Sequence, residues 1–212
     1  MMAVVLSFLQ ETMKTRKSFA IIALLLIAAG CGYFDSPRRK AFQALDEAVR
    51  LDGMLHALMF TLSGVPVLYS GDEIAQENDN TYHDDPLKAE DSRYLHRGDM
   101  DWQKAEKRKD PGTTEGRVFA EIARQEQLRK KYGVFDDGAD VWIQDTGNDQ
   151  VLGIGRYYLG EKLLAVFNFS KEPQVAWIHD ETMYTDLETG RRCKAGSVKV
   201  PAGGFRWLYK RF

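Results

Sequence analysis

The sequence predicts an α/β segment followed by an all-β domain, and three observations carry that prediction. Apolar residues recur at helical spacing over residues 42–62 and again over 118–132. A continuous apolar run, Val65-Pro66-Val67-Leu68-Tyr69, stands between Gly64 and Gly71, as a strand buried on both faces does. From Val141 the period shortens, and short β-like runs alternate with turn signals as far as Tyr209, the pattern of an antiparallel β-sandwich. The expected division is residues 1–35 as a leader or a misassigned start, 36–135 as a β/α unit with a long loop, and 136–212 as the sandwich. A chain of 212 residues accommodates one domain or two small ones.

The first segment does not read as soluble core. Lys14, Arg16 and Lys17 precede an uncharged run of eleven residues, 19–29. A membrane span needs about 20 apolar residues, so this run is too short for one. A basic start, a short apolar stretch and small residues describe a secretory signal peptide. Ala28-Ala29-Gly30-Cys31 resembles a bacterial lipoprotein cleavage site, which would leave Cys31 as the lipidated first residue. The alternative is a buried helix or a misassigned gene start. With a genuine leader the protein is exported and membrane-anchored; without one it is cytoplasmic.

The elements then follow in order. Ser36-Pro37 opens a helix with a capping hydroxyl and a proline at the first helical position. Phe42, Leu45, Val49, Leu55, Leu58 and Leu62 line it, Gly53 weakens its middle and is a point where it can split, and Ser63-Gly64 stops it. The expected strand at 65–69 comes next, with Pro66 tolerable only near its start. Residues 71–112 are rich in Asp, Asn, Glu and Arg with interleaved Tyr82, Tyr94 and Trp102, and read as an irregular functional loop rather than a disordered one. Thr114 caps a second helix, whose broad apolar face (Val118, Phe119, Ile122, Leu128, Tyr132) is core packing, and Gly133 closes it. The expected strands are 141–143, 151–158, 163–169, 175–178, 198–200 and 205–209, separated by turns at 146–149, 160–161, 172–173, 189–190 and 203–204.

Composition narrows the function. Lys plus Arg is 29 against 31 Asp plus Glu, a net charge of -2, so no basic face for nucleic acid is implied. Two cysteines, Cys31 and Cys193, exclude a disulfide scaffold and a Cys-rich zinc module. The four histidines lack metal-ligand spacing, so neither metal nor cofactor is expected, and nothing shows a set of oxygen ligands for calcium.

The informative stretch is Gly64-Val65-Pro66-Val67-Leu68-Tyr69-Ser70-Gly71-Asp72-Glu73, in which an apolar run ends in an acidic pair. In β/α barrels the C-terminal edge of a strand carries ligand-facing residues. On spacing alone, Asp72 and Glu73 are as well explained as groups that bind backbone amides or pair with a nearby arginine. His83, His96, Asp84 and Asp85 read as a solvated loop.

GVPVLYSGDE, then NDNTYHDDPLKAEDSRYLHR, then MDW resemble the last strand and loop of an α-amylase-family glycosidase barrel, most closely of the amylosucrase type. The ending VPAGGFRWLYKR is similar to the last strand of the β-sandwich that follows that barrel. The resemblance covers about residues 45–212. It implies the last β/α unit of a TIM barrel followed by a C-terminal sandwich, and retaining transfer at a glucosyl carbon. That chemistry takes two carboxyl groups about 5–5.5 Å apart. In the family these acids follow earlier barrel strands, and a full barrel takes about 250 residues. The resemblance therefore implies an α-glucoside or sucrose substrate, no catalytic residue within this chain, and the remaining barrel portion as a partner. It also assigns a role to Arg93 of Asp91-Ser92-Arg93, as the arginine that closes the base of the glucose pocket by a salt bridge; a guanidinium suits this because its planar fork meets a carboxylate bidentately. Asp72, Glu73, Asp91 and His96 are the accompanying pocket or loop residues. Tyr94 stands where the family has Trp, and Gly98 where it has Pro. The alternative function is a carbohydrate-binding or structural sandwich, with Trp142, Trp177, Trp207 and Tyr158 as sugar-stacking candidates if they lie exposed in a row.

Overall fold

The computed structural model describes residues 37–212. Ser36, Cys31 and the leader lie outside the described residues. Two compact units share the chain, one built from Arg50–Pro66 with Ile122–Phe212, the other including 37–49 and Val67–Glu121.

In the first unit the β-rich sequence forms eight strands: β1 Asp140–Gln144, β2 Val151–Tyr158, β3 Glu161–Asn168, β4 Gln174–Ala176, β5 Met183–Asp186, β6 Arg192–Lys194, β7 Val198–Val200 and β8 Phe205–Arg211. Six of them make one antiparallel sheet in the order β1-β2-β3-β8-β5-β6, and β4 pairs with β7. β3 is buried from Leu163 to Asn168, because both of its faces are covered. On one face Leu164 and Val166 share a core with Val151, Tyr184 and Leu208 of the same sheet and with Ala176, Val198 and Val200 of the small sheet. The six-stranded and the two-stranded sheet thus share one core.

The other face of β3 presents Leu163, Ala165 and Phe167, opposite Tyr209, Trp207 and Phe205 of β8. The end of the first helix meets it through Thr61. Helix α1 spans Pro37–Thr61, α2 Trp102–Glu106 and α3 Thr114–Lys131. Met54, Ala57, Phe60 and Thr61 at the end of α1 are buried, and Thr61 meets the Trp207 indole. Gly53 does not break α1. It sits buried, and its carbonyl accepts a hydrogen bond from the Gln125 side chain of α3 (2.9 Å). The cap of α3 is Thr113 rather than Thr114, since the Thr113 hydroxyl accepts from the Gly116 amide (3.0 Å).

Two expectations are corrected. Residues 65–69 are not a strand; they run exposed, Val65 at 88% and Val67 at 73%, with no sheet partner among the described residues. A β-strand of this composition is stable only with hydrogen-bonded neighbours on each side, and Pro66 has no N–H to offer one. The β5–β6 hairpin was not expected, because Met-Tyr-Thr-Asp and Arg-Cys-Lys are short and polar. Its turn at Thr189-Gly190 was legible, and Gly190 takes the positive φ such a turn requires.

Close packing across β1 and β2 makes one residue indispensable. Trp142 lies directly opposite Gly155, and a Cβ added at Gly155 would run into the indole ring. Gly155→Ala is expected to cost about 1–2 kcal/mol by overpacking. Combining it with Trp142→Ala should cost less than the two single changes together, as read by urea denaturation. Strict additivity would refute the contact.

Candidate functional site

The loop that the sequence singles out is built from tight turns. Short 3-10 turns form at Asp72–Ile74, Asn80–Asp84 and Ser92–His96, with the short helix α2 after them. The first has no side-chain cap, and each of the other three is started by a carboxylate that accepts a nearby backbone amide: Asp79 from Thr81 (2.9 Å), Asp91 from Arg93 (3.0 Å) and Asp101 from Lys104 (2.9 Å). Asp side chains favour this role because the short arm reaches an amide two or three residues ahead. The density of Asp in the sequence is thus the reason the loop is ordered.

Gln76 ties the turns together. Its side-chain amide donates to the Asp99 carbonyl (3.1 Å) and its oxygen accepts from the Asp101 amide (3.3 Å). Lys104 donates to the Ala75 carbonyl (2.7 Å), the Asp79 amide donates to the Leu95 carbonyl (2.9 Å), and His96 Nδ1 pairs with Asn78 Oδ1 (2.9 Å). These links surround an open hollow of about 390 Å³ lined by Gln76, Glu77, Asp79, Gly98, Asp99, Asp101 and Lys104. Four acids face one lysine there. Sequence reasoning did not find Gln76, Asn78 or Lys104, whose roles arise from loop closure over about 20 to 30 residues and leave no local signature.

Asp72 Oδ2 accepts the Tyr69 amide (3.3 Å), and Glu73 Oε2 accepts the Gly71 amide (2.9 Å), so both carboxylates hold their own turn. Arg93 and Asp91 come together. The guanidinium donates through Nε to Asp91 Oδ1 (2.8 Å) and through Nη2 to Asp91 Oδ2 (2.6 Å), and the arginine side chain is 70% exposed. That pairing, with the Arg93 amide, lowers the Asp91 carboxyl to about 2 and raises the arginine. Asp79 is likewise held low by the Thr81 hydroxyl and amide. Both carboxyls are acceptors at neutral pH and not proton donors. Among the described residues no group of three or more His, Cys, Asp or Glu is placed to hold a metal ion, and no helix is long and apolar enough to cross a membrane.

The aromatic candidates do not form one row. Trp207 is fully buried, Trp142 packs over Gly155, and Trp177 is 57% exposed beside Gly147.

Solved structures share this architecture. A maltogenic amylase from S. marinus is 21% identical over 76% of this chain and 19% of its own, with a TM-score of 0.53. An Anoxybacillus α-amylase is 16% identical over 82% of this chain and 35% of its own, with a TM-score of 0.59. A trehalulose synthase in complex with Tris is 15% identical over 84% of this chain and 47% of its own, with a TM-score of 0.58. The fold is that of the C-terminal part of α-amylase-family enzymes. The chain spans less than half the length of each of these proteins. No protein-family model matches the sequence. What the likeness carries is an α-amylase-type glycoside hydrolase or transglycosylase fold, with the antiparallel sheet as its C-terminal β domain.

Proposed function

We propose that this chain is the C-terminal part of a retaining α-glucosidase or transglucosidase of the amylosucrase-like type, acting on sucrose or other α-glucosides, and that alone it does not turn over glycosides. The fold likeness is the observation that carries this reading. It is supported by the motifs GDE and DSRYLHR at residues 71–73 and 91–97, and by the trehalulose synthase and AmyP, in complex with maltose, among the neighbours. In this reading residues 37–69 are the closing helix and strand of a TIM barrel, and residues 65–69 take strand geometry when the rest of the barrel lies beside them. Strands on each side would then supply the backbone hydrogen-bond ladder that a buried strand takes.

Retaining transfer needs one carboxylate to attack the glucosyl carbon and one carboxylic acid to protonate the leaving oxygen. Asp72 and Glu73 are engaged with backbone amides, and Asp91 is held ionised by Arg93, so none fits the acid's role. Arg93 is assigned to the base of the glucose pocket. Its exposed fork is free to exchange Asp91 for a carboxylate of the barrel at little cost, since exposed ion pairs are weak. His96 keeps the loop in place through Asn78.

The chain incubated with sucrose or maltose is expected to release no glucose and build no glucan above the buffer rate. Turnover abolished by Asp72→Asn or Glu73→Gln would overturn the assignment. Translation of the DNA upstream of Met1 in all frames is expected to yield further β/α repeats with an acid pair; their absence would equally sink it. The sugar-binding sandwich gains no support from the aromatics, because they do not make one exposed row: Trp207 is buried while Trp177 is exposed.

A further inference from the structure

Helix α1 ends with no basic residue in its last turn. Its final carbonyls have no partner within the helix and carry partial negative charge. Two arginines from distant parts of the sequence meet them. Arg129 of α3 donates through Nη1 to the Phe60 carbonyl and, at 3.4 Å, to that of Leu62, and through Nη2 to that of Gly64 (2.9 Å). Arg156 of β2 donates through Nη1 to the Thr61 carbonyl (2.7 Å), through Nε to the Val134 carbonyl (2.8 Å) and through Nη2 to the Asp136 carbonyl (2.6 Å). Arg156 is fully buried, and its bonds run to carbonyls and the Ser63 hydroxyl. A buried guanidinium ordinarily takes a carboxylate partner; here backbone carbonyls take its direct hydrogen bonds, one of them at the end of α1, while the Asp136 and Asp137 carboxylates act on it through their charge. Gly64, at a φ of +99°, turns the chain away, and its amide donates to Asp137 Oδ1 (2.7 Å).

We infer that Arg129 and Arg156 act as one positioning unit, a two-guanidinium cap that fixes how the chain leaves α1 from the sheet and α3. Neither side chain is in the loop or at a reacting atom. They set the path of residues 62–66. The sequence conceals the device because the two arginines stand 68 and 95 residues beyond Thr61.

Hydrogen exchange tests it at the amides of Leu62 and Gly64, with the β3 amides as the internal reference. Arg129→Met should speed exchange at Leu62 and Gly64 about ten- to a hundredfold while leaving β3 unchanged, the loss of charge-assisted bonds to a helix end. Arg129→Lys should fail to restore protection, since an ammonium cannot span three carbonyls. Arg156→Met should deprotect the same amides, and the double variant should add little to either single one. Unchanged exchange at Leu62 and Gly64 in Arg129→Met would overturn the inference, as would an equal rise throughout β3. Arg129 is only half-buried, so its variants decide the matter even if Arg156→Met does not fold.

Discussion

Trp207→Ala is expected to lower the unfolding free energy of the sheet unit by about 3–5 kcal/mol, the range for removing a large aromatic from a close-packed core. The side chain is completely buried on the helix-facing side of β8. Its ring meets Phe135 at 5.0 Å and Phe205 at 5.3 Å between centroids, both edge-on, an arrangement that adds to simple burial. Its indole N–H donates to the Thr61 hydroxyl (2.8 Å), which itself donates to the Ala57 carbonyl (2.8 Å). Truncation therefore opens a cavity and leaves a buried hydroxyl one donor short. Trp207→Phe separates the two effects, keeping most of the volume while losing the N–H, and should cost about 1–2 kcal/mol. Because a domain of this size is stabilised by roughly 5–15 kcal/mol in all, the alanine variant should show a clearly lowered urea midpoint. A loss below about 1 kcal/mol would mean that the indole is not a core residue.

The same indole shows how far the sequence was legible. Its place on a late strand followed from Gly203-Gly204 and the apolar alternation after it, but which face it covered did not. Residues 163–167 and 65–69 carry the same signature of continuous apolar side chains. One became the most buried strand of the sheet and the other an exposed extended run. The difference lies in pairing: β2 and β8 flank the first, and no described strand flanks the second. Local pattern reports what a segment is fit to bury, while burial itself depends on partners elsewhere in the chain. The site divides the same way. Asp72, Glu73, Asp91 and Arg93 were visible as a motif, and Asp91 with Arg93 was a natural pair. Gln76, Lys104, Arg129 and Arg156 act through contacts with backbone carbonyls far along the chain, and a carbonyl has no sequence signature.

Asp180→Asn should cost about 2–3 kcal/mol at neutral pH, as expected when several charge-assisted hydrogen bonds lose their acceptor. Asp180 accepts from the Thr182 amide (2.9 Å) and hydroxyl (2.6 Å), from the Tyr184 hydroxyl (2.6 Å) and from Lys162 (3.2 Å). Burial alone would raise the Asp180 carboxyl, but these donors outweigh it and hold the group well below the usual carboxylate range. Tyr184 moves the other way: burial and the Asp180 carboxylate push its hydroxyl up, so it remains a donor throughout the accessible range. A carboxyl whose folded value is depressed stabilises the native state fully above its unfolded pKa, near 3.9, and loses that contribution as pH falls toward the folded value. The gap in stability between the parent chain and Asp180→Asn should thus be constant from pH 7 down to about 5 and narrow below about 4. Paired urea titrations at pH 7, 5 and 3 measure it. A gap that stays constant at pH 3, or widens there, would show that the carboxylate is not what binds β3 to the β5 strand at this edge of the core.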